Sequence, residues 1–190
     1  MSSLAQAKTL GGIGSILVLL SVIPYAGMVI GLVGLILILV AVKYISDVFK
    51  DKSIFNNMLI SVILGIAGIV IGIIVGVVFL FSYFKGFPEP FEASMFMGEQ
   101  MYSFIIAILL VIIPIWIFTI ISAVFLRKSY NSIASKLNIG MFNTVGLLYL
   151  IGAVLAIVFI GLILLFVAEI LQAVAFFSIP EQAQQPQQTA

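Results

Sequence analysis

The chain has 190 residues, 64% of them hydrophobic and 8% charged, with a mean hydropathy of +1.37 and a net charge of +1. Soluble domains carry about 25% charged residues, so this stock builds no soluble surface, and so balanced a charge implies no nucleic-acid partner. The absence of Cys and His removes disulfides, thiolate nucleophiles, Cys-ligated metals, the commonest general base and the commonest transition-metal ligand.

The charges gather at Lys8, Lys43–Lys52, Lys85–Glu99, Arg127–Lys136 and Glu181; only Glu169 stands inside an apolar run. The runs between them are long enough to cross a bilayer, which takes about 20 apolar residues as helix. Leu10 to Val42 as one helix would be about 50 Å long, against a hydrocarbon core of about 30 Å. Pro24 and Gly27 offer a turn near its middle, which predicts two spans at about 6–23 and 27–45. A cleaved signal peptide is the competing reading of the first, but Pro24 and Tyr25 interrupt the small-residue cleavage pattern and another span follows at once.

The third span, about 57–82, carries Gly65, Gly68, Gly72 and Gly76. Gly68-x-x-x-Gly72-x-x-x-Gly76 places small residues on one helical face and predicts a close backbone-to-backbone contact, within the chain or with another copy. The segment from Tyr83 to Glu99 mixes aromatics with Glu89, Glu92 and Glu99. Oxygen ligands suit a hard cation, but the spacing matches no calcium loop and the aromatics suit a membrane interface, so no metal site is expected. The fourth span, about 102–126, contains Pro114, which removes a backbone hydrogen bond and predicts a kink, and Trp116 at mid-span.

Ile139 to Ser178 is twice as long as one span needs. It reads as two spans, about 139–158 and 161–178, turning near Phe159-Ile160-Gly161, or as one span followed by an interfacial helix bearing Glu169 and Gln172. An ionisable group inside a membrane is a candidate functional residue by default. Glu169 is also near enough to the end of its run to reach the interface by snorkelling. The Gln- and Pro-rich segment 179–190 has the composition of a disordered tail. The expected fold is therefore an all-α polytopic bundle of six spans, with five as the alternative, forming a single domain over residues 1–178.

Lys8, Lys43, Lys50, Lys52, Arg127, Lys128 and Lys136 then fall on one side of the membrane and Lys85 alone on the other. By the positive-inside rule the N-terminus and both basic loops should be cytoplasmic. These basic anchors would also suit anionic lipid headgroups.

The two basic loops echo each other. Lys43 to Lys52 is followed by Phe55-Asn56, and Lys128 to Lys136 by Phe142-Asn143, with Gly65 and Gly152 at equal distances beyond. Each Asn is placed to cap the next helix. The arrangement is a parallel repeat or simply what any basic hairpin requires; the inverted repeat common in transporters is not seen. A second echo links Gly34-Leu-Ile-Leu-Ile-Leu-Val-Ala41 with Gly161-Leu-Ile-Leu-Leu-Phe-Val-Ala168.

The chain resembles the archaeal membrane proteins grouped as domain of unknown function 996, and their relatives in family 973. The resemblance rests on Ala7-Lys-Thr-Leu-Gly-Gly-Ile-Gly14, Asp51-Lys-Ser-Ile-Phe-Asn-Asn57, Phe142-Asn-Thr-Val-Gly-Leu-Leu-Tyr-Leu-Ile-Gly152 and Gln172-Ala-Val-Ala-Phe-Phe-Ser-Ile-Pro180. It implies several spans in an archaeal cell membrane. Some members carry a zinc ribbon after this region, which would favour a cytoplasmic C-terminus and six spans; this chain lacks the cysteines. The family has no assigned activity, so no catalytic residue carries over.

These features point to a non-enzymatic, multi-pass protein of the cell membrane without cofactors. It would act through helix association, as an oligomer or as a small subunit of a complex. The alternative is a small channel or carrier with Glu169, the Pro114 kink and the external carboxylates along its path. Its lining would be thin: Ser61, Ser103, Thr119, Ser122, Asn143 and Thr144. Lone Ser and Tyr residues make no nucleophile–base pair.

Overall fold

The computed structural model describes residues 3–84 and 99–181. The loop with Lys85, Glu89 and Glu92, and most of the Gln-rich tail, lie outside the described residues. Within them the chain forms six helices long and apolar enough to cross a membrane, and no strand. They are α1 (Ser3–Leu19), α2 (Gly27–Phe49), α3 (Lys52–Phe84), α4 (Glu99–Leu137), α5 (Gly140–Leu155) and α6 (Ile160–Phe177). Short 3₁₀ turns follow α1 (Leu20–Val22) and α5 (Ala156–Val158). The all-α bundle with six membrane-length helices stands, and the last apolar region is two helices that turn at Phe159.

Each helix packs on its neighbours in sequence, and α6 returns to α1, so the six close a ring. The ring is assembled from three helical hairpins held by glycine crossings. In α1–α2, a Cβ placed on Gly14 would lie 2.7 Å from the Gly34 carbonyl oxygen, and one on Gly34 would lie 2.6 Å from that of Gly14. In α5–α6, Gly152 and Gly161 meet in the same way. The echo between 34–41 and 161–168 is thereby explained: Gly34 with Ala41, and Gly161 with Ala168, line the buried face of each helix. In α3–α4, Gly68 and Gly72 receive Phe118 and Ile115 of α4.

The second basic stretch is not a loop. α4 continues unbroken through Pro114 and on through Arg127, Lys128 and Lys136 to Leu137. Apolar residues at Leu126, Tyr130, Ile133 and Leu137 keep helical spacing there, and packing of that stripe outweighs the polar residues between. The turns after α2 and α4 share one backbone design. Lys50 (φ 51°) and Asn138 (φ 55°) are left-handed, and the next N–H bonds back to the carbonyl of Ser46 (3.0 Å) or Ala134 (3.1 Å). Such a pairing satisfies carbonyls that a helix end leaves free.

Superposing these turns puts the two echoing sequences one residue out of step: Ile54, not Phe55, corresponds to Phe142, and both are buried. The Asn caps do not form. Asn56 and Asn143 lie exposed within the first turns of α3 and α5. Asp51 caps α3 instead, accepting the Ser53 N–H at 3.1 Å and its hydroxyl at 2.6 Å. α5 starts at Ile139 with no side-chain cap. Asp51 and Ile139 directly follow the left-handed residues, so the turn geometry selects the cap position.

The buried core gathers at the basic end, where Ile45, Ile54, Ile133, Val145 and Ile179 surround Tyr130, Phe142 and Phe176. The three rings meet edge to face, with centroids 5.2 to 6.5 Å apart, the arrangement favoured by aromatic quadrupoles. Away from this end the helices differ in reach. α4 is 39 residues long and α5 only 16, about 58 and 24 Å, and both start from the turn at Asn138. The α3–α4 hairpin therefore runs on past its neighbours, with Ile74, Val78, Ile106 and Leu110 exposed.

Candidate functional site

The polar centre of the bundle lies on the inner stripe of α6. Gln172 is buried among apolar residues, where an amide without partners would cost several kcal/mol. Its Oε1 accepts the Tyr130 hydroxyl of α4 at 2.7 Å, and its Nε2 donates to Ser15 Oγ of α1 at 3.0 Å. Ser15 Oγ in turn donates to the Gly11 carbonyl at 2.8 Å. One amide thus links α1, α4 and α6 through fully buried groups.

One turn further from the basic end stand two charged residues. Glu169 precedes Gln172 by three residues and shares its stripe; it is half-buried, and Tyr149 of α5 lies within its electrostatic reach. Arg127 precedes Tyr130 by three residues and lies across Gly146 of α5: a Cβ there would meet the Arg127 Cα at 3.1 Å and Cγ at 3.3 Å. Its Nε is buried and finds no acceptor among the described residues. Arg127 and Glu169 form no ion pair with each other. Arg127 is thus a helical residue packed across α5.

Lys43 bonds Asp47 at 2.6 Å and sits 5.5 Å above the Phe55 ring. Lys128 lies 5.0 Å above Phe125. Lys136 reaches Asp51 at 3.9 Å, Lys50 forms the left-handed turn and Lys52 opens α3. Asp51 is held below its ordinary value of 3.8, chiefly by the Ser53 hydroxyl, then by the Ser53 N–H and the charge of Lys136.

The glycine face of α3 is occupied within the chain. Gly68 and Gly72 are buried on α4; a Cβ on Gly65 would lie 3.6 Å from Ser122 Oγ, and one on Gly76 3.9 Å from Val111 Cγ2. Beside Gly65, Ser61 and Ser122 are 3.1 Å apart, and Ser122 donates to the Ser61 carbonyl at 2.8 Å. The Trp116 indole N–H lies 3.0 Å from the Ala153 carbonyl and 3.2 Å from that of Val154, at the end of α5. Ser129 donates to the Ile54 carbonyl at 2.7 Å. No group of three His, Cys, Asp or Glu is placed to hold a metal among the described residues.

Sequence reasoning missed the Ser15–Gln172–Tyr130 chain and the inward place of Arg127. The helical stripe through Tyr130 was the available signal; the charges beside it hid it.

Residues 30–170 match a family described as a protein of unknown function, DUF996. An uncharacterized protein of the archaeon Methanocaldococcus jannaschii is 37% identical over 180 residues, 94% of each chain. No solved structure matches. The chain belongs to the DUF996 family.

Proposed function

We propose that this member of the DUF996 family is a non-enzymatic protein of the cell membrane that works by helix association, with copies of itself or as a small subunit of a membrane complex. Its basic end faces the cytoplasm. The observation that carries this reading is the α3–α4 hairpin, which continues past its neighbours with apolar residues exposed on both helices. Its glycines are spent on the contact between α3 and α4, so association would use branched side chains such as Ile74 and Ile106. The hydroxyls of Ser15 and Ser129 are committed to backbone carbonyls, which supports a non-catalytic role.

The chain has no cysteine, so single Ile74→Cys or Ile106→Cys variants report proximity without background. In native membranes, crosslinking to another copy or to a reproducible foreign protein supports the reading. Recovery of an uncrosslinked monomer from both positions refutes it.

A carrier is the second reading, favoured by the half-buried Glu169 and the buried Arg127 Nε, one turn beyond the Gln172–Tyr130 layer. Against it, Tyr130, Phe142 and Phe176 fill the interior at the basic end. Ion flux in liposomes that is lost in Glu169→Gln would favour the carrier.

A further inference from the structure

We propose that the trough between α2 and α3 seats one anionic phospholipid, with an acyl chain along Ile36, Leu39 and Val40 and its phosphate at Lys43. The trough has a volume of about 310 Å³ and is lined by these residues with Tyr44 and Phe55. It exists because α2 touches α3 less than any other neighbouring pair in the ring. No glycine crossing draws these helices together, and they diverge from the turn at Lys50.

The polarity of the trough is that of an amphiphile. Ile36 to Lys43 covers about 10 Å of helix, apolar until the ammonium closes its end. Lys43 is held there, 5.5 Å above the Phe55 ring that forms the opposite wall. Its bond to Asp47 joins two half-exposed groups, and an exposed pair of this kind is weak enough for a phosphate to share or displace. The charge balance also favours an anion. Lys50 and Lys52 stand at the same end, while Asp51 is engaged by Ser53 and Lys136. A zwitterionic headgroup would bring its own cation to this surface and gain less.

The test is native mass spectrometry of the full chain released from nanodiscs holding equal phosphatidylglycerol and phosphatidylcholine. Wild type should retain phosphatidylglycerol preferentially, by about fivefold, the factor one lysine is worth near an anionic surface. Lys43→Gln should lose that preference. Val40→Trp, which fills an exposed part of the trough while leaving Lys43 in place, should lose the bound lipid altogether. Lys128→Gln removes an equal charge from above Phe125 on α4 and should leave retention unchanged. Equal retention of both lipids by wild type overturns the proposal, as does an equal loss in Lys43→Gln and Lys128→Gln, which would mean diffuse attraction. Melting temperatures of the variants identify any misfolded one, and Leu39→Phe then replaces Val40→Trp as the trough-filling variant.

Discussion

Replacing Gln172 by leucine keeps its volume and removes the amide that joins three helices. The Tyr130 hydroxyl, on a residue with no exposure, then loses its acceptor at 2.7 Å. An unsatisfied buried donor costs about 1–3 kcal/mol. Ser15 loses only a donor to its oxygen, since its own hydroxyl still donates to the Gly11 carbonyl. Tyr130→Phe leaves the Gln172 carbonyl unmet and keeps the ring against Phe142 and Phe176, for about 1–2 kcal/mol. In the double variant both polar groups are gone, so its cost should fall short of the sum by about 1–2 kcal/mol. Interhelical hydrogen bonds in membranes average only about 0.6 kcal/mol, because the unfolded chain in the membrane finds other partners. This pair should exceed that average because both groups are sealed inside the protein. Mixed-micelle unfolding of wild type and the three variants gives the cycle. Additivity within about 0.3–0.5 kcal/mol would refute the claim that these groups act as one buried unit.

Gly34→Ala sets a methyl 2.6 Å from the Gly14 carbonyl oxygen; backbone cannot rotate away, so α1 and α2 must part, at about 1–3 kcal/mol. Gly140→Ala meets open space and should leave stability within about 0.5 kcal/mol, which thermal unfolding in detergent compares directly. The lowered pKa of Asp51 means that its contribution is complete above the ordinary carboxylate range and is lost as pH falls below 3.8. Asp51→Asn keeps a capping side chain and should remove this part of the acid-induced loss; an identical pH profile for the two proteins would rule out the Asp51 cap as its source.

The membrane-length helices were legible because transfer into hydrocarbon depends on local composition, and the apolar runs carry that along the chain. The turn at Phe159, with no polar residue to mark it, was still implied by a length no single span needs. Caps were less legible: Asp51 and Asn56 are both competent acceptors, and the left-handed turn at Lys50 decides between them.

By itself the sequence determined an all-α chain of membrane-length apolar helices with its basic residues almost all at one end, and placed small residues where helices would approach closely. Only the tertiary structure decided that the α3 glycines meet Ile115 and Phe118 of the same chain, that Gly14 and Gly34 cross, and that Gln172, Tyr130 and Ser15 find one another. The physical reason is that hydropathy is a property of each segment, while a contact depends on where two helices cross. A glycine face or a buried amide states that a partner is needed; ring closure of α6 onto α1 determines which one it meets.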